Sequence, residues 1–395
     1  MASFATAGFA RRLSFFYGAL FLSIGVYLPF FPVWLSSRGL SESEIGAVLA
    51  APLVVRILFT PISGAIADRQ ASRKGMLVLY CWLALLGFSI LGAVSGFVAT
   101  LLAVAFTAVF WSSVMPLTEA LALVGVRRYK ADYGRMRLWG SATFIIANFA
   151  AGAALDLWPT GIVYWLILGT VAFAAMSAHG LPRVPSADPV GTTGVAEIAA
   201  PGARAVLANP AFLAMLGASA LTQASHAMMY TFGSIYWQAR GFSGLSIGVL
   251  WALGVIAEIT LFAVSGRVLA RISPVGLMAV GAGAAVLRWS LMPLEPPLAV
   301  TAILQLLHGL TFGAAHLGIV HFIARSVPER YSGSAQSLNF TAMGACMALA
   351  TYASGQLYKA AGAAAFGAMA ATALVALLLA VAVVRPAHHR GGRVG

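Results

Sequence analysis

Apolar stretches of roughly twenty residues recur from one end of this chain to the other, and almost nothing charged interrupts them. About twenty apolar residues is what an α-helix needs to cross the ~30 Å hydrocarbon layer of a bilayer. In lipid every backbone N–H and C=O must be satisfied within the protein, which leaves a bundle of spanning helices or a closed β-barrel. Barrel strands alternate apolar and polar residues in segments of ~10, and these runs do not alternate. An all-α integral membrane protein is therefore expected. Twelve spans are predicted, at about 13–36, 44–66, 75–95, 97–124, 136–157, 160–180, 211–238, 243–265, 275–293, 297–323, 335–357 and 361–384. Only 9% of the 395 residues are charged, against about a quarter in a soluble chain, which excludes a soluble core.

The formal net charge of +13 is a topology signal rather than a mark of nucleic-acid binding. Lys and Arg gather in every second connection, as at Arg69, Arg73 and Lys74, at Arg127, Arg128 and Lys130, and at Arg325 and Arg330. The opposite connections hold only Arg38, Arg240 and Lys359. Positive charge collects on the cytoplasmic side, so both termini are expected there. Arg11-Arg12 lead into a long apolar run with no small-residue cleavage site, which reads as an uncleaved first span. The two cysteines, Cys81 and Cys346, lie within apolar runs and imply neither a disulfide framework nor a metal site.

Residues 181–209 read LPRVPSADPVGTTGVAEIAAPGARAVLAN, a composition of linkers, and form a predicted cytoplasmic central loop. The loop separates an N-terminal half, 1–180, from a C-terminal half, 210–384, with a tail at 385–395. The halves echo each other. VRRYKADYGRMR after span 4 corresponds to ARSVPERYSGSA after span 10, and GAIADRQASRKG after span 2 to GRVLARISPVG after span 8. Two parallel six-helix halves, each of inverted triplets, describe the major facilitator fold.

A few charged side chains sit where charge is most costly. Glu119, Arg137, Glu258, Arg288 and Arg56 fall inside spans. Such groups cost at least ~2.5–3.5 kcal/mol in a bilayer centre and face a cavity or a partner. Glu119 and Arg137 lie nine residues either side of Arg128, so at 1.5 Å per residue they are level, up to ~13 Å from the turn. They can pair, either as a staple between two helices or as a solute-binding couple. Arg288 and His308 are level about a turn near Pro297. Glu258 and His226 reach similar depth in spans 8 and 7, with the histidines either hydrogen-bonded between helices or functional. Trp289 adjoins Arg288, and a cavity mixing guanidinium and aromatic rings would suit an aromatic carboxylate.

Longer motifs carry a resemblance. PISGAIADRQASRKG (61–75) resembles the loop signature of the major facilitator superfamily, with Gly64, Asp68, Arg69 and Arg73 as a gating loop. YLPFFPVWLSSRGLSESEIG (27–46), PLTEALA (116–122), DYGRMRLWGS (132–141), LWALGVIAEI (250–259), VLRWSLM (286–292) and LLHGLTFGAAH (306–316) resemble the phenylpropionate permease family, related to the lactose permease. The resemblance implies a proton-coupled importer of the bacterial inner membrane. It places Glu119 and Arg137 at sugar-binding positions of the lactose permease, and Arg288 and His308 at proton-coupling positions. The second coupling carboxylate of that permease is replaced by Thr311, and the span 8 carboxylate is displaced by about a turn to Glu258.

The expected function is secondary active transport: symport of a small organic solute with a proton by alternating access. Glu258, His308, Arg288 and His226 would serve coupling, and Glu119, Arg137, Arg288, Arg56 and Trp289 the substrate. A sugar or nucleoside permease and a drug/proton antiporter are the alternatives. An enzyme is not expected, since HExxH, GxSxG and paired in-span aspartates are missing. The proton is the coupling ion, no other cofactor is implied, and a monomer in the lipid bilayer is expected.

Overall fold

The computed structural model describes residues 2–69, 73–183 and 206–390. The helices are α1 (Ala2–Ser37), α2 (Glu42–Arg69), α3 (Arg73–Ala93), α4 (Phe97–Tyr129), α5 (Tyr133–Leu157) and α6 (Ile162–Ala178), then α7 (Pro210–Ala224), α8 (Ala227–Ala239), α9 (Gly244–Ala263), α10 (Ser265–Leu269) and α11 (Pro274–Leu291). They continue with α12 (Leu298–Leu306), a π-helical segment (Gly309–Ala314), α13 (Ala315–Ser326), α14 (Ser332–Ala361) and α15 (Phe366–Arg390). Most of the predicted central loop lies outside the described residues.

Nine helical runs among the described residues are long and apolar enough to cross a membrane, and Ile162–Ala178 is a shorter apolar one. One of the nine, Glu329–Val383, is two helices joined by a 3-10 turn at Gly362–Ala365. The span predicted over 211–238 is two helices, α7 and α8, broken at Ser225–His226. Several helices outrun their apolar stretches: α1 starts at Ala2 rather than 13, and α4 ends at Tyr129 rather than 124. Backbone hydrogen bonding carries a helix on after the hydrocarbon requirement ends.

Local signals set the helix starts. Glu44 accepts from the backbone N–H of Ser41 at 2.8 Å, one side of a capping box that opens α2. Asp132 caps α5 by accepting from Arg135 N at 3.0 Å. Asn209 and Ser273 cap α7 and α11, each with proline at the next position. The α4–α5 turn runs through Lys130, held left-handed at φ 53.

Two compact units are present. Unit 1 is Met1–Thr192 with Gly233–Ala252, and unit 2 is Thr193–Phe232 with Leu253–Gly395. In unit 1, α1 packs on α5 and α6, and α3 on α4 and α6, around Phe16, Tyr17, Leu20, Leu77 and Val114. In unit 2, α7 packs on α14 and α15, and α11 on α13 and α15, around Phe212, Met215, Met278 and Ile319. The pairings correspond span for span, so an internal repeat exists in packing as well as in sequence. Large apolar side chains such as Leu102, Trp165, Phe340 and Leu349 point outward, as expected where the solvent is lipid.

Candidate functional site

In unit 1, Glu119 on α4 and Arg137 on α5 come together, Oε1 to Nε at 3.7 Å, each side chain a little over a quarter exposed. The turn lies at Lys130–Asp132 rather than Arg128, and the length of the guanidinium side chain makes up the offset. The face of the Phe21 ring lies under this guanidinium, with 3.9 Å from Cζ to the ring centroid. The ring shields one side of the ion pair while adding a cation–π contact.

A cavity of about 290 Å³ opens elsewhere in unit 1, between α1, α2, α3 and α4. Arg56 of α2 lines it, together with the rings of Tyr27, Phe88 and Trp111 and the hydroxyl-bearing Thr107 and Ser112. The rings form a continuous wall. Tyr27 meets Phe88 edge-on at 5.9 Å, and Phe88 meets Trp111 edge-on at 6.1 Å.

In unit 2 the break between α7 and α8 carries His226. Helices broken at membrane depth free backbone groups that side chains must satisfy. Here Ser225 Oγ donates to Thr222 O at 2.7 Å, and His226 Nδ1 donates to the same carbonyl at 3.0 Å. On the other side of the ring, Thr311 Oγ1 lies 2.9 Å from His226 Nε2, which accepts from it in the neutral imidazole. Thr311 in turn accepts from Arg288 Nη1 at 3.3 Å. His226 therefore belongs to a fixed chain of contacts, Arg288 to Thr311 to His226 to the Thr222 carbonyl.

Arg288 is 2% exposed. Its other partners among the described residues are Gln305 Oε1, the Trp289 face at 4.4 Å, and His308 Nδ1 at 3.4 Å. An arginine only donates, so in this contact His308 Nδ1 accepts and the imidazole proton sits on Nε2. That nitrogen faces Glu258 Oε2 at 3.8 Å. The imidazole thus stands between the guanidinium and the carboxylate.

The backbone makes this arrangement possible. The span containing His308 passes through the π-helical segment Gly309–Ala314, a distortion frequent at functional sites. Gly309 lets it approach α9, because a Cβ there would lie 2.8 Å from the Ala257 carbonyl oxygen. Glu258, the next residue, is brought to His308 by that approach.

Of the remaining sequence candidates, Arg73 is buried at the start of α3. Gly64, Asp68 and Arg69 belong to α2, but their side chains lie outside the described part of the structure. Sequence reasoning missed Gln305, which sits one turn before His308 and is 2% exposed. An amide inside an apolar span was the available signal, since a buried amide requires partners.

Comparison with known proteins agrees with this architecture. The family model described as MFS_1 like family matches residues 10–368. The chain belongs to the MFS_1-like family of major facilitator transporters. It is 34% identical over 379 residues to the probable 3-phenylpropionic acid transporter of Escherichia coli (strain K12), covering 95% of this chain and 98% of that protein. It is 28% identical over 350 residues to the maltose permease of Geobacillus stearothermophilus, covering 87% and 86%. The crystal structure of the nucleoside transporter NupG shares the fold, with a TM-score of 0.83 at 16% identity over 95% of this chain and 98% of that one. The chain is thus a multi-pass membrane transporter and not an enzyme.

Proposed function

We propose that the protein imports a small aromatic carboxylate together with one proton by alternating access, in a bacterial inner membrane with both termini cytoplasmic. The observation that carries the coupling is the interposed imidazole. Glu258 faces His308 Nε2 at 3.8 Å, and Arg288 faces His308 Nδ1 at 3.4 Å. A carboxylate in this position can exchange a proton while a permanent cation sits one ring away. Arg288 is held in place by Gln305, and His226 orients it through Thr311. Conformational change that alters the Glu258–Arg288 separation would load the proton on one side and release it on the other.

The substrate class is supported by the relative named as a probable 3-phenylpropionic acid transporter and by arginines set among aromatic rings. Glu119 and Arg137 hold α4 to α5 and present a polar couple to the solute. A sugar permease is the second reading, supported by that couple at positions resembling those of the lactose permease and by the relative named as a maltose permease. The 1–180 and 210–384 halves would rock as bodies joined by the 181–209 loop, with Gly64, Asp68, Arg69 and Arg73 latching the cytoplasmic side. The protein would act as a monomer.

Reconstituted proteoliposomes given an outside-acid pH step and labelled 3-phenylpropionate test this reading. Transient uptake above the equilibrium level, abolished by a protonophore, is expected. Uptake of maltose or a nucleoside with none of the acid would refute it.

A further inference from the structure

Arg56, Arg137 and Arg288 are all placed to meet an anion, but their surroundings differ. The Arg137 charge is already met by Glu119 at 3.7 Å. Arg288 is 2% exposed and committed to Gln305, Thr311 and His308. Arg56 has no hydrogen-bond or ion-pair partner among the described residues, and it lines a cavity.

That cavity has the make-up of a one-ring acid site. Its volume of about 290 Å³ lies just below the ~300–1,000 Å³ range of ligand pockets, as suits a ligand of one ring. Tyr27, Phe88 and Trp111 supply an edge-to-face aromatic wall, whose geometry favours a further ring. The Ser112 hydroxyl in the wall is buried without a hydrogen-bond partner, and such a group is costly to leave unmet. Every feature lies within unit 1.

We infer that this cavity is the binding site for the carboxylate substrate, with Arg56 pairing the carboxylate, Ser112 bonding a polar atom of the ligand, and Tyr27, Phe88 and Trp111 enclosing its ring. The inference rests on the reading of an aromatic acid as substrate and goes beyond it by choosing among three arginines. A guanidinium binds a carboxylate with two parallel N–H···O bonds, so lysine is an incomplete substitute.

Calorimetric titration of the purified full chain with 3-phenylpropionate and with its uncharged analogue 3-phenylpropanamide tests the site. Arg56→Gln should weaken binding of the acid at least tenfold and leave the amide within about twofold of wild type, since a charged hydrogen bond is worth ~1.5–3 kcal/mol. Arg56→Lys should restore part of the preference for acid over amide. The site is overturned if Arg56→Gln binds the acid as wild type does. It is also overturned if acid and amide weaken alike in both Arg56 variants, or if Arg137→Gln is the variant that loses the acid alone. A wild-type chain that binds neither compound overturns the aromatic-acid reading and the site together.

Discussion

Replacing Glu258 by glutamine removes the one in-span carboxylate described in unit 2, where Glu295 and Glu329 lie in connections. The shape and hydrogen-bonding reach of the side chain are kept. Thr311 and Gln305 beside Arg288 do not ionise, His308 accepts from the guanidinium, and Glu258 is the single carboxylate of the cluster. One proton travelling with one monoanion moves no net charge. The driving force is then the pH difference alone, ~1.4 kcal/mol per pH unit, or tenfold accumulation. A step of one unit should drive about tenfold uptake of 3-phenylpropionate in wild-type proteoliposomes. Adding ~100 mV of membrane potential should change that ratio little. A mechanism moving one net charge would gain ~2.3 kcal/mol, about 50-fold, from the same voltage.

Glu258→Gln should bring the ratio to one while exchange of internal for external substrate continues, because exchange needs no proton release. The assay is labelled uptake under an imposed pH step, with counterflow measured on the same vesicles. Tenfold accumulation by Glu258→Gln would refute the assignment of the proton to this residue. Strong voltage dependence in wild type would refute the one-proton, one-anion stoichiometry.

Other positions in unit 1 give independent tests. A Cβ at Gly248 would lie 2.2 Å from the Asn148 carbonyl oxygen, a backbone atom that cannot swing aside. Gly248→Ala should therefore cost ~1–3 kcal/mol, and an unchanged thermal unfolding midpoint would count against the close packing of α5 and α9. Asp156 accepts from the first N–H groups of α9, Gly244 at 2.6 Å and Leu245 at 2.8 Å. Asp156→Asn should cost ~0.5–1 kcal/mol through the weakened cap, seen as faster hydrogen exchange at Gly244–Ser246. Glu119 and Arg137, both partly exposed at 3.7 Å, should show a coupling of about 1 kcal/mol or less in a double-mutant cycle on unfolding. A coupling of several kcal/mol would make the pair the principal clamp between α4 and α5.

The chain discloses its helices readily because lipid imposes one rule along the whole sequence: apolar for about twenty residues, then a connection. The same uniformity hides what lies within each helix. A soluble helix shows its buried face as a stripe, whereas here both the lipid and the protein side are apolar. Periodicity therefore gives no sign of the break at Ser225–His226, the π-helical segment or the cavity around Arg56. Counting residues from a turn points to Glu119 with Arg137 and Arg288 with His308, although the first turn lies beyond Arg128, so that pair is not level and side-chain length closes the difference. It does not find their neutral partners. Thr311 and Gln305 accept from Arg288 only because the π-helical segment and α11 lie side by side.

The charges proposed to act in transport fit together as a balance. In the empty form Glu119 compensates Arg137 and Glu258 compensates Arg288, leaving Arg56 with one net positive charge. Substrate bound at Arg56 takes that to zero, and a proton on Glu258 returns it to one. The empty and fully loaded forms then carry the same charge through the membrane. A proton alone would leave two positive charges and an anion alone none, so each half-loaded form differs from the permitted ones by a full charge. The charge carried across by the empty and loaded forms therefore cancels over a cycle, and a half-loaded form breaks that cancellation by one charge, worth ~2.3 kcal/mol per 100 mV. Tight coupling needs no contact between proton site and anion site in this scheme, only that both charges count toward one electrostatic total. Arg56→Gln tests this directly. In that variant the empty and fully loaded forms are both neutral and each half-loaded form differs by a full charge, so the acid should bind more weakly while one proton still moves with each substrate, and a changed ratio would refute the scheme.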